Sequence, residues 1–157
     1  MDLLDITNQL NQKPFREFKP FFSGLNAVDP QTLCGRFAAA FVGPGWLRTI
    51  TPPSLAMLGF RNWCGKRFID GGLSGENLFG KDIIREKYPF VTSLNGSVLD
   101  DKTSLVIQYS RGCPFPWMYV IDELRQLDET RILGMTILNL KRIPKIPFPF
   151  ILYPWEN

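Results

Sequence analysis

Asp122, Glu123 and Arg125 interrupt an otherwise apolar run, YVIDELRQLD, at 119–128. A carboxylate beside an apolar cavity can serve as a general acid or base, and a guanidinium next to it can clamp negative charge. The same arginine, set among aromatic rings, can instead hold a carboxylate or hydroxyl at the end of an apolar molecule. Tyr109 and Tyr119 are the polar partners on offer, each joining a large apolar body to a donor tip. Their plainer reading is as ordinary core or rim tyrosines. On a strand, Tyr119, Ile121, Glu123 and Arg125 share one face, and Met118, Val120, Asp122, Leu124 and Gln126 share the other. Both faces are mixed, so the pattern does not say which points inward. Glu123 and Arg125 on a solvent face would form a weak surface pair. Facing a lumen, they must pair or take a ligand's polar end, because an unpaired buried charge costs several kcal/mol.

A second group lies in NWCGKRFID, at 62–70. Read as a strand, it puts Cys64, Lys66 and Phe68 on one side and Trp63, Gly65 and Arg67 on the other. One of the two cations then faces inward, unless both reach solvent near a strand end. Phe37, in GRFAAAF, and Trp63 read either as an aromatic plug with Arg36 packed over it or as the floor of a pocket. The candidate ligand-binding residues are therefore Phe37, Trp63, Lys66, Tyr109, Tyr119, Glu123 and Arg125, with no catalytic residue assigned.

Composition narrows the chemistry. The chain has 157 residues and no histidine. That removes Ser-His-Asp and Cys-His sites, imidazole ligation and haem held by a proximal histidine. Cys34, Cys64 and Cys113 are odd in number and widely spaced, which fits reduced thiols rather than a disulfide framework or a zinc site. No metal and no cofactor is expected. The net charge is +3 and the 18 Lys and Arg are scattered, so nucleic acid is a poor partner. The N-terminal MDLLDITNQL carries no basic, then apolar, export signal, and no apolar run is long enough to span a membrane. The expectation is a cytoplasmic protein without a transmembrane segment, its oligomeric state open, a homodimer included.

These residues must be positioned by a single domain, 1–157, with a helical segment at 1–34 and a barrel at 35–153. A short helix fits 2–12. DPQTLCG, at 29–35, has a helix start with Asp29 as N-cap and Pro30 next. GRFAAAFVG reads as a strand, TPPSLAMLGF as a turn or two of helix capped by Thr51 or Ser54, and 62–70 as a strand. GGLSGENLFGK, at 71–81, reads as a Gly-rich loop without phosphate-loop spacing. From residue 88 the pattern is β: YPFVTSLNGSVL, then SLVIQYS, then WMYVIDELRQL and RILGMTILNL as a hairpin. Residues 119–127 also fit a helical stripe, but their aromatic and β-branched approach favours a strand. KIPFPFILYP reads as a final edge strand, because proline cannot donate to a ladder. Short strands joined by turns predict an all-β fold, a meander closed into an antiparallel barrel.

Two stretches resemble a known family. GRFAAAF followed by NWCGKRF, and SVLDDKTSLVIQYS followed by YVIDELRQLDETRILGM, are similar to the small proteins named for a G-x-W-x-x-x-x-G motif. Here Phe37 stands in the tryptophan's place and Gly43 closes the motif one residue late. Trp63, Gly65 and Lys66 match the family's W-x-GK-F segment, and Asp122, Arg125, Leu133 and Gly134 match its charged strand and LG. The resemblance, over about residues 30–138, implies a lipocalin-like, calycin-type barrel; it does not supply a biochemical function.

The leading expectation is a barrel that binds a small apolar or amphipathic molecule, such as a fatty acid, in its cavity. One alternative is a cofactor-free enzyme of the lyase or isomerase type using Glu123 or Asp122, Arg125 and a tyrosine. Another is a protein-interaction module presenting the Pro- and Phe-rich C-terminal strand.

Overall fold

The C-terminal strands are apolar on both faces, and each face finds its own cover. The computed structural model describes residues 2–156. Its strands are β1 (Gly35–Phe41), β2 (Trp63–Ile69), β3 (Ser74–Phe79), β4 (Arg85–Gly96), β5 (Thr103–Tyr109), β6 (Val120–Gln126), β7 (Ile132–Leu138) and β8 (Phe148–Pro154). They pair antiparallel in chain order, and β8 returns to β1, so the sheet closes into an eight-stranded, lipocalin-like barrel. Three α-helices accompany it: α1 (Leu3–Gln12), α2 (Phe18–Ser23) and α3 (Gly45–Met57).

Inside, Phe68, Phe90, Leu105, Ile107, Leu124, Ile132 and Phe150 form one core. A second core lies outside the wall. Val106, Ile121, Leu133, Met135, Ile137 and Ile151 point outward from β5–β8 and are covered by Leu10, Phe18 and Phe22 of the N-terminal segment. That segment is shaped locally as its residues dictate. The Asp2 carboxylate accepts from the Asp5 N–H at 2.8 Å and caps α1. The Asp29 carboxylate accepts from the Gln31 N–H at 3.0 Å and starts the expected turn, a single 3-10 turn at Pro30–Thr32.

Two glycines let the wall close. A Cβ on Gly65 would lie 2.0 Å from the Phe37 carbonyl oxygen of β1, and one on Gly134 would lie 2.2 Å from the Phe150 ring. Only hydrogen fits at Gly65, where the neighbour is backbone, so β1 can approach β2; at Gly134 any side chain would have to displace the Phe150 ring.

Four expectations are corrected. The Gly-rich stretch 71–81 is not simply a loop, for Ser74–Phe79 is β3, paired on both sides by β2 and β4. Cross-strand pairing overrides its weak strand propensity. The C-terminal stretch is not an edge, because β8 pairs with β7 and with β1. Pro149 and Pro154 lack a donor, yet the Pro149 carbonyl still accepts from the Val42 N–H at 3.4 Å. An exposed strand for a partner protein is therefore not available at β8. Helix α3 starts at Gly45 rather than near Thr51. The Thr51 and Ser54 hydroxyls donate back to the Leu47 and Ile50 carbonyls, at 2.6 and 2.7 Å, instead of capping a new helix. Finally, the last barrel strand begins only at Phe148, with 139–147 forming a connection across the barrel end.

Candidate functional site

The lumen is apolar at one end and ionic at its middle. A cavity of about 350 Å³ opens at the end bounded by α3, the 110–119 connection and the start of β8. Its wall is almost wholly hydrocarbon and aromatic: Phe41, Leu55, Phe60, Trp63, Trp117 and Phe150 face it. Phe60 anchors that wall, stacked on Trp117 at 3.8 Å between ring centres and on Tyr88 at 5.0 Å. The Trp117 indole N–H donates to the Leu58 carbonyl at 2.6 Å, tying the end of α3 to the 110–119 connection. Polar groups reach the inner wall at Tyr109, Asp122 and Thr136.

Asp122 is the centre of that polar group. Its Oδ2 lies 2.9 Å from Lys66 Nζ and accepts from the Tyr109 hydroxyl at 2.6 Å. Its Oδ1 accepts from the Thr136 hydroxyl at 2.8 Å. Lys66 Nζ also donates to Asn77 Oδ1 and to Tyr109 Oη, both at 2.8 Å, so its three protons are all used. Asn77 Oδ1 takes a further bond from the Trp63 indole N–H at 3.1 Å, and Asn77 Nδ2 donates to the Tyr88 carbonyl at 3.0 Å. The ammonium is ringed by Phe90 and Tyr109, each 5.1 Å away, and Trp63 at 5.5 Å. Burial lowers the Lys66 ammonium's pKa, against the opposing pull of Asp122. Burial raises the Tyr109 hydroxyl's, with the Asp122 charge adding to it, so the phenol keeps its proton.

A carboxylate offers about four lone-pair sites. Among the described residues, Asp122 receives one donor on Oδ1 and two on Oδ2. One acceptor position on Oδ1 therefore remains for a donor arriving through the cavity.

Of the sequence candidates, Trp63, Lys66 and Tyr109 meet here, joined by Asp122, which the sequence had placed in the enzymatic alternative. A bulge between Trp63 and Gly65 shifts the register, so Trp63 and Lys66 both face the lumen despite their odd spacing. Arg67 points out and pairs with Glu86 at 2.5 Å. Phe37 packs edge-on against Phe68, ring centres 5.7 Å apart, away from the cavity wall. Tyr119 stands 44% exposed beside Phe115, outside the cavity.

Glu123 and Arg125 correct the lumen reading. They share a strand face, as expected, but that face is the outer one, buried under the N-terminal segment. Glu123 accepts from the Val98 N–H at 2.9 Å and the Ser104 hydroxyl at 3.1 Å. Arg125 forms a fork with Asp100, at 2.6 and 2.8 Å, and also donates to the carbonyls of Phe22 and Lys102 at 2.8 and 2.9 Å. Its guanidinium lies 4.2 Å above the Phe22 ring. The arginine thus clamps the N-terminal segment and the β4–β5 turn to the wall, and cannot reach the cavity. In return it holds the Asp100 carboxyl down at about 2.

Asn77 and Thr136 escaped the sequence reading. Asn77 lies in the stretch taken for a loop. Thr136 did carry a signal, as the one polar side chain sharing a face with Ile132, Gly134 and Leu138.

Fold and site together define a closed antiparallel barrel with an apolar, ligand-sized lumen. In structure, the chain is similar to a protein from Thermomonospora curvata known from its crystal structure, with a TM-score of 0.68, 19% identity, and 98% of this chain and 96% of that one covered. That likeness is one of fold. No protein-family model matches the chain, and no curated protein matches it significantly.

Proposed function

We propose that the barrel binds a small, mainly apolar molecule carrying a hydroxyl or N–H group, with that group donating to Asp122. The observation that carries this reading is a buried carboxylate, Asp122, at the inner wall of an otherwise apolar cavity, with a single donor on its Oδ1. The cavity's volume lies within the range of small-molecule sites. The polarity selects the ligand. Lys66 has no proton to spare, and Arg125 lies beyond the wall, so a fatty-acid carboxylate would meet Asp122 with no cation of its own. A neutral alcohol, phenol or amide N–H meets an acceptor.

The reading is tested by displacing a fluorescent apolar probe with three matched compounds: a long-chain alcohol, its methyl ether and the corresponding acid. The alcohol should bind about tenfold or more tightly than the ether, the scale of a hydrogen bond to a charged group. The acid should be weakest at neutral pH. Equal affinities, or an acid that wins, would remove Asp122 from ligand recognition.

We also propose that the chain belongs with the G-x-W-x-x-x-x-G proteins. What supports this is that two residues carrying the resemblance, Lys66 and Asp122, belong to one ion pair. A second reading, a cofactor-free lyase or isomerase, is favoured by the 2.6 Å contact of Tyr109 with Asp122 at the cavity. It keeps those two as the acid–base pair and drops Glu123 and Arg125. Chemical change of a bound alcohol, followed by mass spectrometry, separates it from simple binding.

A further inference from the structure

We propose that the open end of the barrel is a docking face for anionic phospholipid bilayers. In a meander barrel successive connections alternate between the two ends. Connections 42–62, 80–84, 110–119 and 139–147 therefore share the end where the cavity opens. These segments contain seven lysines and arginines, Arg48, Arg61, Lys81, Arg111, Lys141, Arg142 and Lys145, against one carboxylate, Asp82. All but Lys145 are exposed. The connections at the other end, 70–73, 97–102 and 127–131, carry five carboxylates and two cations. The chain's modest overall charge of +3 thus conceals a strongly basic end and an acidic one.

Most of the large apolar side chains that stand in solvent also lie at the basic end. Met57 is 89% exposed, Ile83 74% and Phe115 67%, and Trp46, Ile50 and Ile146 are each about half exposed. They come from all four connections and are interleaved with the cations, as in Lys141-Arg142-Ile143-Pro144-Lys145-Ile146. Exposed apolar residues of this size among cations are what a bilayer interface binds. The apolar groups enter the acyl boundary, and the cations meet the phosphate and serine headgroups. A fluid surface asks for that composition and not for a matched contour, which suits a rim assembled from four separate connections. The cavity opens within this face, so an apolar molecule could pass between bilayer and lumen without crossing water. The docking itself stands on the surface residues and does not depend on the ligand proposed above.

Flotation with vesicles tests it. The full chain is mixed with vesicles of phosphatidylcholine alone or of phosphatidylcholine with phosphatidylserine, at low and raised salt. Binding is expected to the mixed vesicles only, weakening with salt, with a blue shift of the tryptophan emission. The paired charge reversal Lys141→Glu with Arg142→Glu should lower the partition coefficient at least about tenfold, the scale of losing two cations at an anionic surface. Met57→Asp with Phe115→Asp should lower it comparably, while Asp101→Lys at the other end should not lower it. All five positions are exposed, and circular dichroism checks that each variant is folded. No association with mixed vesicles would overturn the proposal, as would equal association with neutral ones or indifference to the mouth-end variants. A wild-type dimer in sedimentation that Met57→Asp dissociates would also overturn it, by assigning the face to a second copy of the chain.

Discussion

Lys66 on β2 and Asp122 on β6 belong to strands half the barrel's circumference apart, and their charged atoms meet at 2.9 Å in the lumen. The pair braces opposite walls and forms the polar end of the cavity at the same time. Its side chains are 0% and 2% exposed, so neither charge has water to fall back on.

Breaking one side should therefore cost far more than removing both. Lys66→Met is expected to destabilise the fold by about 3–5 kcal/mol, the penalty of a buried charge left alone. Lys66→Met with Asp122→Leu should recover most of that loss, since apolar replacements of a buried pair are often neutral. Urea denaturation of the wild type, both single variants and the double variant measures the coupling. A double variant no better than Lys66→Met would show that the Asn77 and Tyr109 contacts dominate instead.

Arg125 should matter to stability and not to binding. Arg125→Gln is expected to cost about 3 kcal/mol or more, because Asp100 and two carbonyls lose their donor. The dissociation constant of an apolar probe in the cavity should stay within about twofold, as for independent sites. A large loss of probe affinity in a folded Arg125→Gln protein would return the arginine to the ligand site.

The Arg125–Asp100 clamp also sets an acid limb. The Asp100 pKa is lowered from 3.8 to about 2 on folding. A depressed carboxyl stabilises the fold fully above its unfolded pKa and loses that contribution as pH falls. The Asp100-linked stability is thus present above pH 3.8 and is lost as pH falls through about 2. Asp100→Asn should be less stable at neutral pH but show a shallower decline across that window. Parallel pH–stability curves for the two proteins would place the acid limb elsewhere.

Gly134 controls the shape of the cavity. Its α-hydrogens face the Phe150 ring, which a methyl group would strike at 2.2 Å. Gly134→Ala should cost about 1–3 kcal/mol through overpacking. It should also push Phe150 toward the lumen and weaken large ligands more than small ones. Unchanged size selectivity in a folded variant would mean that β7 gives way instead of Phe150.

How far the residues announced all this differs from one to the next. The β-rich second half, the closed meander and the strand at 120–126 followed from alternation and turn chemistry. So did the placing of Glu123 and Arg125 on one face and of Asp122 on the other, although Glu123 and Arg125 do not pair with each other: Glu123 bonds to Val98 and Ser104, and Arg125 to Asp100. Which face looks inward did not, because every residue from Val120 to Arg125 is buried. The outer face of β6 is covered by Phe18 and Phe22, about a hundred positions earlier in the chain, and no local pattern carries that information. Asn77 was hidden by the glycines around it, whose strand character comes only from neighbours β2 and β4. The paired basic and acidic ends were likewise invisible in a net charge and emerge only when alternate connections are sorted to opposite ends.

The occupancy of the lumen can be measured directly by native mass spectrometry of the chain with a single long-chain alcohol. Leu138 lines the cavity and is partly buried near its mouth, so Leu138→Trp should fill space there at little cost to the core. The wild-type chain should carry one alcohol per molecule, the methyl ether should give a much weaker adduct, and folded Leu138→Trp should carry little of either. An alcohol adduct that persists undiminished in Leu138→Trp, or a wild-type chain that takes up none, would contradict a ligand-binding lumen closed by Asp122.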